Sequence, residues 1–104
     1  MKRPIRHAIE FTREADAHLA TLVARDRALV LDSLEGQLAY EPTVETRNRK
    51  RLRPNPLAPW ELRIGRLRVY FDVEREPHAV VRIQAVGVKD RSSVWIGGEE
   101  VKLA

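Results

Sequence analysis

The stretch of residues 60–73, WELRIGRLRVYFDV, constrains the fold more than any other part of the chain. Its apolar residues occupy every second position on both sides of Gly65-Arg66, and this alternation predicts two half-buried strands joined by a tight turn. Successive side chains of a strand point to opposite faces of the sheet, so one face must pack against an apolar partner. The other face gathers five side chains within cross-strand reach of one another, and we expect the functional site there: Glu61, Arg63, Arg68, Tyr70 and Asp72.

The residues before this hairpin predict a strand followed by two helices. Ile5 to Phe11 alternates in the manner of a strand, and Thr12 is a suitable N-cap for the first helix. A second helix, with Asp26 as its expected cap, should end near Tyr40 because Pro42 cannot continue it. The connection between the helices is short, which predicts an antiparallel helix hairpin that covers one face of the sheet. The apolar stripe of the second helix comprises Val30, Leu31, Leu34 and Leu38.

The residues after the hairpin predict the remaining strands. Val80 to Val88 is the most continuous apolar run and should form the central strand, and Trp95-Ile96 should pair briefly before a Gly97-Gly98 turn and a short last strand. Residues 43–59 contain three closely spaced prolines and predict a loop or extended arm. The fold class is therefore α+β, in the order β-α-α-β-β-β(-β). We expect an antiparallel sheet with a helical hairpin packed on one face, in a single domain of residues 1–104.

Composition narrows the classes of site that the chain can build. The sequence has no cysteine, which leaves neither a disulfide framework nor a thiolate metal site. His7, His18 and His78 fall on separate predicted elements, and no glycine-rich phosphate loop is present, so we expect no metal and no cofactor. No apolar run reaches membrane-spanning length. We therefore expect a cytoplasmic protein without a membrane partner.

The positive charge is concentrated in the second half of the chain. Residues 1–46 carry a net charge of about −2 and residues 47–104 about +6. A basic surface of this kind suits a polyanion such as RNA, or an acidic protein segment. Five basic residues within positions 47–53 predict a phosphate-contacting patch, and the alternative is a solvated linker. They are Arg47, Arg49, Lys50, Arg51 and Arg53.

A second group of cations is expected on the polar face of the sheet, with two aromatic residues among them. Guanidinium groups bind phosphates, and aromatic rings stack on unpaired bases, so this group is typical of an RNA-binding face. The same cations could stabilise the charge of a phosphorane transition state. The alternative is a set of cross-strand charge pairs in which Glu61 and Asp72 offset the arginines. The group comprises Arg63, Arg68, Arg82, Lys89, Arg91, Tyr70 and Trp95.

These residues resemble the RelE/ParE toxins of bacterial type II toxin–antitoxin modules. The similarity covers nearly the whole chain, from the FTREA start of the first helix through LRVYFDV to VVRIQAVGVKDRSSVW. The resemblance implies a RelE-like fold and, for RelE-type members, a metal-independent endoribonuclease that cuts mRNA in the ribosomal A site. In that reaction a ribose 2′-hydroxyl attacks the neighbouring phosphate. Translation and growth then stop unless a cognate antitoxin binds the toxin in a hetero-oligomeric complex.

Four residues match positions that carry activity in RelE-type toxins. The resemblance implies that Arg68 holds the scissile phosphate and that Arg63 is the basic residue beside it. Lys89 matches a residue, usually arginine, that stabilises the transition state, and Trp95 matches a tyrosine that stacks on the base. Glu61 stands where the archetype has a lysine. Because Arg63 stays protonated, we assign the general-base role to Glu61.

The resemblance also sets a geometric expectation. Arg63 and Arg68 should converge beside the indole of Trp95, on the side of the sheet away from the helices. Lys89 cannot form the bidentate bonds of an arginine, and Trp95 lacks a hydroxyl, so both depart from the archetype. We expect further RNA contacts from Arg91, Tyr70, Arg82, Arg47, Arg49, Lys50 and Arg51.

Two other functions are compatible with the same residues. A ParE-like inhibitor of DNA gyrase shares the fold and needs no catalytic residues. A degenerate homologue could retain only the ability to bind an antitoxin. The cations on the polar face favour the ribonuclease over the gyrase inhibitor.

Overall fold

A computed structural model describes residues 4–102 and confirms the predicted α+β fold. A helical hairpin packs on one face of a sheet whose pairings are antiparallel, apart from that of the first strand. Within the described residues the elements are β1 (Ala8–Phe11), α1 (Arg13–Ala20), α2 (Ala24–Leu38), β2 (Arg49–Arg51), β3 (Trp60–Ile64), β4 (Leu67–Glu74), β5 (Val80–Asp90), β6 (Ser93–Ile96) and β7 (Glu99–Val101).

Strand β5 is the centre of the sheet, as its apolar run predicted. The order is β2-β3-β4-β5-β6-β7, and β1 pairs with the first part of β5 in parallel. The edge of β5 opposite β4 therefore has two partners, β1 along residues 80–83 and β6 along residues 87–90. The end of β5 therefore lies beside the hairpin of β3 and β4 in the sheet. Side chains of these strands that point away from the helices share one face.

The helices agree with the predictions except for the cap of the second helix and one residue of its apolar stripe. Thr12 caps α1, and its hydroxyl accepts a hydrogen bond from the Ala15 amide at 3.1 Å. Helix α2 begins at Ala24 without a side-chain cap, so the predicted cap at Asp26 is wrong. Leu31 of the predicted stripe is about half exposed, because it lies 100° around the helix from Val30. The core between helices and sheet comprises Ala15, Leu19, Val30, Leu34, Leu38, Trp60, Leu62, Leu67, Val69, Phe71, Val81, Ile83 and Val86.

Residues 43–59 are more ordered than the prediction of a loop or arm. Arg49–Arg51 pairs with β3 as an edge strand, and the prolines that argued against a strand begin only at Pro54. Beyond that strand, residues 52–59 form a closed loop in which the Leu52 amide donates to the Pro59 carbonyl at 2.8 Å. The side chain of Asn55 bonds to four backbone groups inside this loop.

The face away from the helices is only partly an open polar surface. A second apolar cluster forms there from strands β4, β5 and β6 and from the 52–59 loop. This cluster buries a large part of the face that the strand alternation assigned to function. Its buried members are Ala58, Tyr70, Ala85, Val94 and Ile96, with Leu52, Leu57 and Val101 packed against them.

Candidate functional site

The pairing of β3 with β4 brings four of the predicted site residues together. Glu61 lies directly opposite Tyr70, and Arg63 lies directly opposite Arg68. The residues that alternate with them, such as Leu62, fill the core beneath the helices. The four side chains therefore share the face away from the helices. The predicted convergence of the two arginines on that face is confirmed by this register.

Glu61 and Arg63 form a partly buried ion pair at the centre of the site. The Arg63 Nε donates to Glu61 Oε1 at 3.0 Å. The Glu61 side chain is only 8% exposed, whereas that of Arg63 is 41% exposed. Among residues 4–102, no acceptor bonds to the two terminal nitrogens of Arg63. The carboxylate thus fixes one edge of the guanidinium and leaves the other edge free for an anion.

Arg68 is held in a similar way by backbone carbonyls. Its Nη1 donates to the Gly65 carbonyl at 2.7 Å and to the Leu67 carbonyl at 2.8 Å. Its Nε and Nη2 have no acceptor in the part of the chain that the structure describes. Two like charges directly opposite each other on neighbouring strands are unfavourable by themselves. The pair of guanidinium groups of Arg63 and Arg68 is therefore suited to bind a negatively charged group between or above them.

Tyr70 lies next to these charges but beneath the surface. The ring is completely buried in the second apolar cluster. Burial raises the pKa of the Tyr70 hydroxyl well above its ordinary value, and the charge of Glu61 raises it further. The hydroxyl makes no hydrogen bond of normal geometry within residues 4–102. The expected direct contact of Tyr70 with RNA is therefore wrong for this conformation, because the side chain has no exposed surface.

Trp95 lies on the opposite face of the sheet from the two arginines. It pairs with Val88, which in turn pairs with Leu67 of the helix-side core. Side chains of directly paired residues share a face, so the indole, 43% exposed, projects on the helix side. The expectation that Arg63 and Arg68 converge beside Trp95 is wrong. The two-residue turn between β5 and β6 sets this register, and sequence alternation alone could not specify it.

Lys89 and Lys50 flank the arginines on the same face. Lys89 pairs with Val94, a member of the second apolar cluster, and lies two residues beyond Gly87, which is opposite Arg68. Lys50 pairs with Glu61 across β2 and β3 and is exposed. The site thus has two fixed guanidinium groups with an ammonium-bearing residue on either side.

Arg82, which was also predicted to contact RNA, does not join this group. Arg82 pairs with Glu10 at 3.4 Å and with Glu74, and lies five residues before Gly87 along β5, roughly 15 Å away. These carboxylates, Glu74 foremost, raise the pKa of Arg82. Arg91 is exposed in the turn after β5, with φ at 58°.

Within the basic run, side chains alternate between the two faces of β2. The guanidinium of Arg51 lies over the Trp60 ring at 5.7 Å on the helix side, and Arg47 is exposed before the strand. Arg49 is buried, and its Nε donates to the Val44 carbonyl at 2.7 Å while its Nη1 donates to the Gln37 carbonyl. The prediction that Arg49 contacts phosphate is wrong, because both contacts satisfy backbone carbonyls instead.

Two residues that the sequence analysis did not single out shape the site. A Cβ at Gly87 would lie 2.6 Å from the Trp95 carbonyl oxygen and 2.7 Å from Ile96 Cγ1, so only glycine lets β5 and β6 approach opposite Arg68. Asn55 organises the loop that covers Tyr70. A glycine inside an apolar run and an asparagine between two prolines were the available sequence signals.

The described part of the chain shows neither a metal centre nor a membrane span. No three His, Asp or Glu side chains of residues 4–102 lie close enough together to hold a metal ion. No helix among these residues is long and apolar enough to cross a membrane.

Comparisons with known proteins find similarity among solved structures. No family model and no curated protein matches the sequence. Among solved structures, the fold is similar to a chain in the crystal structure of the toxin–antitoxin complex RelBE2 from Mycobacterium tuberculosis. The TM-score is 0.71 and the identity 27%, over 86% of this chain and 98% of that chain. We conclude that the chain is a RelE-like toxin of the RelE/ParE superfamily, as its sequence motifs predicted.

Proposed function

We propose that this toxin is an endoribonuclease that cuts mRNA in the ribosomal A site and is inhibited by a cognate antitoxin in the cytoplasm. The observation that carries the proposal is the pair of guanidinium groups on Arg63 and Arg68. Each is fixed by internal hydrogen bonds and keeps other N–H groups free on the same exposed face. Such preorganised donors suit a phosphate whose negative charge grows during a reaction.

The reaction follows from RNA chemistry. The ribose 2′-oxygen bonds to phosphorus, the bond from phosphorus to the 5′-oxygen of the next nucleotide breaks, and a cyclic phosphate and a 5′-hydroxyl result. The 2′-hydroxyl gives its proton to a base, either Glu61 or water, and the leaving 5′-oxygen takes a proton from water. Arg63 and Arg68 hold the non-bridging oxygens in this proposal, and Lys89 and Lys50 attract the neighbouring phosphates.

Glu61 orients Arg63 in the proposed site. A carboxylate that is 8% exposed and bonded to Arg63 is well placed to position that guanidinium. The general-base role assigned from the sequence requires one Glu61 oxygen to reach the 2′-hydroxyl within about 3 Å. A Glu61→Gln variant separates the two roles, because glutamine can still accept from Arg63 but cannot take up a proton at neutral pH. We expect this variant to retain most of the cutting rate. Loss of the whole cutting rate would instead show that Glu61 is the general base.

An antitoxin partner is consistent with both charge and similarity. The similar chain is part of a toxin–antitoxin complex. The net charge of this chain is +4, and its excess of basic residues lies in the sheet half that carries the proposed site. An acidic antitoxin segment could cover that surface and exclude RNA.

Primer extension on total RNA after induction of the toxin tests the proposal. We expect codon-phased cuts in mRNA and arrested translation with the wild-type chain. Arg68→Ala should reduce cutting by about 10²-fold or more, as loss of a donor to a developing negative charge does. Arg13→Ala is the matched control, because Arg13 is an exposed residue of α1 remote from this face and should leave cutting unchanged.

Two results would contradict the ribonuclease. Intact transcripts together with lost plasmid supercoiling would identify a gyrase inhibitor. Unimpaired growth on induction, with an antitoxin still bound tightly, would identify a degenerate homologue.

A further inference from the structure

The hydroxyl of Tyr70 is a buried polar group that the proposed reaction does not yet use. The ring is packed among Ala85, Val94 and Ile96, and no part of the residue is exposed. Phenylalanine would fill the same space without placing an unpartnered hydroxyl in the interior. A buried hydroxyl without a hydrogen bond is unfavourable. Packing alone therefore does not explain why a tyrosine occupies this position.

The charged groups near this hydroxyl are the residues of the proposed site. Glu61 is directly opposite Tyr70 on β3, and Arg63 and Arg68 are the next pair along the two strands. The pKa of Tyr70 is raised, first by burial and then by Glu61, while Arg68 and Arg63 act in the other direction. The Tyr70 hydroxyl is therefore protonated at neutral pH, and its O–H group can donate a hydrogen bond to a nearby carboxylate.

We propose that Tyr70 is a positioning residue that acts through Glu61, in the order Tyr70, Glu61, Arg63. In this arrangement the Tyr70 hydroxyl donates a hydrogen bond to the carboxylate of Glu61, the residue opposite it on β3. Glu61 is then held from below by Tyr70 and from the side by the Arg63 Nε, and the terminal nitrogens of Arg63 stay directed at the phosphate. This role rests on the proposed ribonuclease function. Complete burial excludes any contact between Tyr70 and the RNA itself.

Tyr70→Phe tests the role because it removes the oxygen and keeps the ring. We expect the cutting rate on ribosome-bound mRNA to fall by about tenfold or more, since a misplaced catalytic group loses much of its effect. The midpoint of thermal unfolding should not decrease. Tyr40→Phe is the matched control, because Tyr40 is a half-exposed tyrosine outside the site and its variant should cut at the wild-type rate.

A double-mutant cycle separates positioning from general structural damage. Glu61→Ala removes the acceptor that Tyr70 and Arg63 would share, so Tyr70→Phe should have little further effect on the cutting rate of that variant if Tyr70 acts through Glu61. Independent, multiplicative losses would overturn the proposal. So would an unchanged cutting rate in Tyr70→Phe alone.

A measurement without RNA keeps this inference separate from the proposed function. In a ¹⁵N-labelled toxin, the Arg63 Nε–H should give a protected NMR signal that exchanges faster in Tyr70→Phe and is unaltered in Tyr40→Phe. If the wild-type toxin cuts no RNA, the ribonuclease proposal fails, yet this signal still reports the Tyr70–Glu61–Arg63 arrangement. An identical Arg63 signal in wild type and Tyr70→Phe would refute it.

Discussion

Arg49→Met should destabilise the fold even though Arg49 lies within the basic run. The substitution keeps the aliphatic stem and removes the guanidinium. The lost bonds are those to the Val44 carbonyl at 2.7 Å and to the Gln37 carbonyl. Gln37 is in the last turn of α2, where carbonyls lack helical partners and a positive charge favours the helix dipole.

The size of the effect follows from these two contacts. A hydrogen bond to a charged group contributes about 1.5–3 kcal/mol, so the two together suggest a loss of about 3 kcal/mol or more in the free energy of unfolding. For a domain of this length, that corresponds to a decrease of roughly 12 °C or more in Tm. Burial lowers the pKa of Arg49, with Glu41 opposing the shift, which agrees with a guanidinium held in the interior.

Urea and thermal unfolding followed by circular dichroism provide the assay, with Arg47→Met as the control. Arg47 is exposed two residues earlier in the same basic run, and its substitution should change stability by at most about 0.5 kcal/mol. Equal unfolding midpoints for the two variants would refute the assignment. They would show that the guanidinium of Arg49 contributes no more to stability than that of Arg47.

Two further predictions concern the contacts that strand β5 makes with its neighbours. Gly87→Ala should reduce the free energy of unfolding by roughly 1–3 kcal/mol, because the added methyl group would overpack against Trp95 and Ile96. Gly36→Ala, on the open side of α2, should instead increase it by up to about 1 kcal/mol. Urea titrations of both variants provide the measurement. His18 should make stability depend on pH, because its Nδ1 accepts from the Val86 amide at 3.4 Å and burial lowers its pKa, partly offset by Glu14. The unfolded chain then binds more protons than the folded chain does. The free energy of unfolding of the wild type should therefore decrease relative to that of His18→Gln as the pH falls below 6.5. A difference between the two that does not change with pH would contradict this prediction.

The local elements of this protein are determined by short stretches of its sequence. The alternation around Gly65-Arg66 specifies the hairpin, and the turn there carries the positive φ that glycine adopts readily. Thr12 specifies the start of α1, and the apolar run of β5 specifies the central strand. The convergence of Arg63 and Arg68 follows from the same alternation, because their strands are joined by a two-residue turn. In each case the interacting residues are close in sequence, so periodicity and turn chemistry suffice.

Tertiary structure decided which side chains join the site and which leave it. Trp95 faces the helices because its strand takes its register from β5, and a shift of one residue would have moved it to the other face. Arg49 is buried because the carbonyls of Gln37 and Val44 meet it there, which no periodicity in the basic run encodes. Tyr70 is hidden because the 52–59 loop folds over its face. These outcomes depend on register, burial and long-range packing, and such contacts between distant parts of the chain are defined only once the sheet has assembled.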